Sequence, residues 1–89
     1  MKVSNMYSNN GNQVPNQFII DNGNKTLFQS YKTIVAVKEN GKITLDSNAL
    51  EYSNTTLKYL KQFLNTSESK KSLYAKIESG FYQVEDLNN

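Results

Sequence analysis

The chain has 89 residues, with ten lysines and no arginine against eight acidic residues, a net charge of +2, and neither cysteine nor histidine. That length supports one small domain; a disulfide framework is excluded, and the commonest metal ligand and neutral-pH base are missing. So weak a cationic bias, without guanidinium groups for bidentate base contacts, argues against a dedicated nucleic-acid surface.

Residues 1–16, MKVSNMYSNNGNQVPN, are polar and asparagine-rich, interrupted by Gly11 and Pro15, and repeat with neither helix nor strand period. They are expected to form a flexible N-terminal arm, followed by a single domain over 17–89. No apolar run in the first twenty residues is long enough for a signal peptide or a membrane span. A cytoplasmic protein is the expectation.

QFII and KTLFQS flank Asp-Asn-Gly-Asn, a turn sequence that supplies positive φ, and read as two short strands. Phe18, Ile20 and Leu27, with Tyr31 as a further candidate, are the expected inward residues. TIVAVKE and KITLD then flank Asn40-Gly41, the strongest short-range hairpin signal, because both residues tolerate the torsions of a type I′ turn. Ile34, Ala36 and Lys38 alternate only imperfectly with Thr33, Val35 and Val37, as in a strand partly covered on both faces.

SNALEY links this hairpin to a helix. Ser53 is the expected N-cap of NTTLKYLKQFLN, where Leu57, Leu60, Phe63 and Leu64 fall on one face. Asn65, Thr66 and Ser67 break the periodicity, and a second helix, about ESKKSLYAKIES, follows with a thin apolar face of Leu73 and Ile77, Tyr74 being a further candidate, and an end at Gly80. FYQVEDL reads as a last strand that closes a sheet edge or pairs beside the N-terminal strand. The predicted fold is α+β: an antiparallel sheet of about five strands, ordered β-β-β-β-α-α-β, with both helices on one face.

Catalytic signatures are few. Gly23, Gly41 and Gly80 sit where turns or a helix end explain them, so no phosphate loop is read. The serines and threonines have no histidine to activate them and no nucleophile elbow. Asp46 and Glu51, and the adjacent Glu85 and Asp86, have no spacing that demands a metal or an acid–base pair. The chain is therefore not expected to be an enzyme, and no cofactor or metal is expected. Six tyrosines exceed what so small a core needs, since each buried hydroxyl requires a partner, and exposed tyrosine favours protein interfaces. The candidate interface residues are Tyr31, Lys32, Lys38, Lys42, Lys58, Tyr59 and Tyr82.

Taken together, the strand ending in Phe28-Gln-Ser-Tyr31, the Gly41-Lys42 turn, Leu45-Asp46, Tyr52-Ser-Asn-Thr-Thr56 and Lys58-Tyr59-x-x-x-Phe63-Leu64 form a pattern. It resembles a group of small uncharacterised proteins carried by tailed phages and mobile elements of low-GC bacteria, over about residues 17–88. The resemblance implies an accessory protein in the host cytoplasm that binds and modulates a host protein, as an anti-CRISPR or other anti-defence inhibitor does. The alternative is a nucleic-acid-associated phage protein using a stripe of lysines beside tyrosines, its binding weakening steeply with salt. A homodimer is a further expectation, because a chain this small gains stability by pairing an open face or edge.

Overall fold

A computed structural model describes residues 1–88. It contains β1 (Lys2–Tyr7), β2 (Gln13–Asn22), β3 (Lys25–Ser30), β4 (Thr33–Glu39), β5 (Lys42–Asp46), α1 (Asn54–Leu64), α2 (Lys70–Glu78) and β6 (Gln83–Glu85). The six strands form one sheet in sequence order, β1 to β5 antiparallel and β6 parallel to β5 at the edge. This is the α+β architecture expected, with one strand more.

The extra strand is β1. Residues expected to form a flexible arm instead pair with β2 from Lys2↔Asp21 to Tyr7↔Gln13, and Met6 is buried in the core. The missed signal is short: one apolar side chain, Met6, decides the inward face. The register shift between Asn5 and Tyr7 removes the regular alternation that would have revealed a strand.

Turn chemistry explains the meander. Gly23 takes φ +74°, while Asn40 and Gly41 both have positive φ, 53° and 78°, as a type I′ turn requires. Between β3 and β4 the first turn residue is Tyr31, held at φ 56°, where bulky side chains are disfavoured.

Ser53 caps α1, its hydroxyl oxygen accepting the Thr56 amide proton at 3.0 Å. Asn65, at φ 58°, ends the helix: its N–H donates to Gln62 O and the Thr66 N–H to Lys61 O, the paired bonds of a Schellman motif. Ser69 caps α2, which ends in the same way at Gly80, with Phe81 N–H reaching Lys76 O.

Both helices cover one face of the sheet. Phe28 stacks on Phe63 with ring centroids 5.8 Å apart, and the hydroxyls of Ser30 and Thr56 lie 2.9 Å apart. Phe28, Val35, Ala36, Leu45, Leu60 and Leu73 are fully buried between the layers. The imperfect alternation of β4 has a local cause. Phe28 pairs with Ala36 and Gln29 with Ile34, so Val35 is the unpaired residue of a bulge, and Val35 and Ala36 are both buried.

The C-terminal segment is fastened at Asp46. This carboxylate is buried and accepts from the Tyr52 hydroxyl, the Leu87 N–H at 2.9 Å, the Asn48 N–H and the Asn88 amide at 3.2 Å. Asn88 also brackets Ile34, accepting from its N–H at 2.8 Å and donating to its carbonyl at 3.0 Å. The last strand thus closes the β5 edge and does not pair beside the N-terminal strand.

Candidate functional site

Alternation along the strands determines what the other face carries, and here the expected inward residues are corrected. Phe18, Ile20 and Leu27 point away from the helices, whereas Gln17, Ile19 and Phe28 point toward them. A shift of one residue exchanges the faces, and the run Phe18-Ile19-Ile20 is apolar on both, so composition could not choose.

Pairing aligns the outward side chains in rows. One row runs Val3, Ile20, Leu27, Val37, Thr44 and Gln83 across all six strands. A second runs Asn5, Phe18, Gln29 and Ile34. Phe18, Ile20, Leu27, Ile34 and Val37 are each half-buried by their neighbours but pack against no part of the hydrophobic core. At one end lies a charged row of Asn22, Lys25, Glu39 and Lys42, with the Lys25 ammonium 3.9 Å from Glu39. A shallow groove of about 330 Å³ opens beside it, lined by Val37, Glu39, Lys42, Thr44, Gln83 and Glu85.

The residues nominated from sequence do not assemble into one surface. Tyr59 and Tyr82 are core residues, 5% and 3% exposed. Lys38 lies between sheet and helix: its ammonium donates to the Phe63 carbonyl at 2.5 Å and sits 4.5 Å above the Phe63 ring centroid, and burial lowers its pKa. Its shared face with Ala36 was readable from the alternation in β4. Lys58 is exposed on α1, over the Tyr59 ring. Lys32 lies in the β3–β4 turn and Lys42 is the first residue of β5, at opposite ends of β4. Tyr31 remains exposed, beside Tyr52 in a notch of about 230 Å³ that also has Ser30, Thr33, Ser53 and Thr56 on its walls. Of the seven, Tyr31, Lys32, Lys42 and Lys58 are solvent-facing.

Other polar groups hold the fold together. Glu68 accepts from Lys76, Ser72 and Thr66, and these bonds hold its carboxyl down at about 2. Burial and the bond to Asp46 push the Tyr52 hydroxyl up to about 12. Among the described residues no group of three or more His, Cys, Asp or Glu side chains is placed to hold a metal ion, and no helix is long and apolar enough to cross a membrane.

The sequence profile of a family of unknown function (DUF8033) matches residues 1–79. The chain belongs to the DUF8033 family. The match begins at residue 1 and takes in the whole of the β1–β2 hairpin, so the strand that completes the bare apolar row is part of what the DUF8033 profile covers. No curated protein and no solved structure matches the chain.

Proposed function

We propose that this DUF8033 protein is a non-catalytic binding module that docks on another protein through the bare face of its sheet. One observation carries the reading: Phe18, Ile20, Leu27, Ile34 and Val37 form a continuous apolar surface to which neither helix contributes cover. On a soluble chain such a surface costs solubility, and contiguous exposed apolar patches mark interaction sites. The polar end row of Lys25, Glu39 and Lys42 supplies the rim that a protein interface requires.

The partner class follows from the phage-like pattern of residues 17–88: a host protein in the bacterial cytoplasm, modulated stoichiometrically, with anti-CRISPR or other anti-defence inhibition as the specific role. Such inhibition needs surface complementarity and no catalytic group. The dispersion of the lysines weighs against the nucleic-acid alternative, because Lys38 is partly buried against α1 and Lys32 and Lys42 are a strand apart.

The test is affinity purification from bacterial lysate at two salt concentrations, with and without nuclease, using the natural chain, L27K and K32A/K58A, whose two exposed lysines belong to none of the rows of the bare face. The natural chain and K32A/K58A are expected to retain one protein at high salt and after nuclease, and L27K, checked for folding by circular dichroism, to lose it. Recovery that vanishes with nuclease or with K32A/K58A would overturn the reading.

A further inference from the structure

The face assigned above to protein binding has a symmetry of its own, and the following inference rests on that assignment. In a sheet of six strands in sequence order, the midline runs between β3 and β4. The two residues flanking it in the charged row are Lys25 and Glu39, which are register partners; the two flanking it in the apolar row are Leu27 and Val37, also register partners. A two-fold axis laid along the strands on this midline sets Lys25 of one copy over Glu39 of the other, twice. It likewise sets Leu27 over Val37, Ile20 over Thr44 and Val3 over Gln83.

We infer that the occupant of the bare face is a second copy of this chain, packed face to face about that axis. Two observations support a second copy. Charges of opposite sign meet at symmetry-related positions, which a self-complementary interface requires. The apolar residues Leu27 and Val37 fall at the centre, where an interface is driest, while the charges fall at its rim. A two-fold axis across the strands lacks the Lys25–Glu39 match, since it lays the Glu39 end of β4 over the Ile34 end.

The area suits a weak, reversible dimer. Strand spacing of about 4.8 Å and about 3.4 Å per residue, over the levels from Lys25 to Gln29 and allowing for the shorter β1 and β6, give a flat face of about 450 Å². Two such faces bury about 900 Å², at the low end of the range for protein interfaces. Aligned packing of two sheets at about 30° keeps the rows in contact. Dimer and external target then compete for one surface.

The experiment is sedimentation equilibrium over a wide concentration range on the natural chain, K25E, E39K, their mixture and L27K, each first shown to be folded by circular dichroism. The natural chain is expected to dimerise. K25E and E39K each place like charges in both contacts and are expected to associate at least about tenfold more weakly. Mixed together, they restore opposite charges at both contacts and are expected to form a heterodimer. A monomeric natural chain, or a dimer indifferent to both reversals and to L27K, overturns the inference. A natural chain that is monomeric yet captures a lysate protein through Leu27 defeats the second copy and leaves the binding-module reading standing; a dimer with no lysate partner does the reverse.

Discussion

Gln17 is the residue whose chemistry fits its surroundings least. It is fully buried beneath α1 beside Ser30, and neither its amide nitrogen nor its oxygen has a hydrogen-bond partner among the described residues. Burying an unpaired amide costs about 1–3 kcal/mol. Gln17→Met, similar in volume, is expected to raise stability by about 1 kcal/mol or more, read as a higher urea midpoint at unchanged slope. A lower midpoint would show that the amide is satisfied in solution. Asp46 is the opposite case, a buried carboxylate surrounded by four donors. In the sequence it looks like any acid at a strand end, since two of those donors, Leu87 and Asn88, come from more than forty residues away. Tyr31, a candidate for an inward residue as well as for an interface, is exposed; Tyr59 and Tyr82 were not distinguishable from it by residue type alone. Their burial depends on the helix face and the strand parity, which a single sequence states only indirectly.

Among the elements, β1 is the one that sequence periodicity does not reveal and that the sheet needs. Its strand propensity is low and its pattern is broken by the irregularity after Asn5, so its existence rests on long-range pairing with β2. Met6 inserts into the core at 5% exposure. Met6→Ala is expected to destabilise the protein by about 2–3 kcal/mol, measured by chemical denaturation; a change near zero would return residues 1–8 to the status of an arm. The hairpins and α1 were legible for the converse reason. Asn40-Gly41, Ser53 and the spacing of Leu57, Leu60 and Leu64 each state their structure within a few residues. The direction in which β2 and β3 face was not legible, because both sides of Phe18–Ile20 and of Leu27-Phe28 are apolar. That ambiguity is itself informative: a strand greasy on both sides belongs in a sheet covered on both sides. The helices cover only one.

At the scale of the whole molecule, acid is the sensitive variable. Burial alone would push the Asp46 carboxyl up, but the bonds from Tyr52, Leu87, Asn48 and Asn88 outweigh it and hold the pKa below the usual carboxylate range; Glu68 is held at about 2 by Lys76, Ser72 and Thr66. A depressed folded pKa gives stability that is complete above the unfolded value of about 4 and is lost as pH falls through the folded value. Stability is therefore expected to be flat near neutrality and to drop as pH falls from about 4 toward 2. In Asp46→Asn the neutral plateau is expected to be lower and the acid slope shallower; an acid slope identical to the natural chain's would exclude Asp46 as a titrating contributor. The order of the elements has a consequence for biosynthesis as well. All five antiparallel strands precede both helices, so during synthesis the strands emerge before the residues that cover them. Until Asn54–Glu78 leaves the ribosome, the apolar side chains of either strand face have no helix to pack against. Delay of the helical segment is therefore expected to lower the soluble yield, exposed strands being what aggregates.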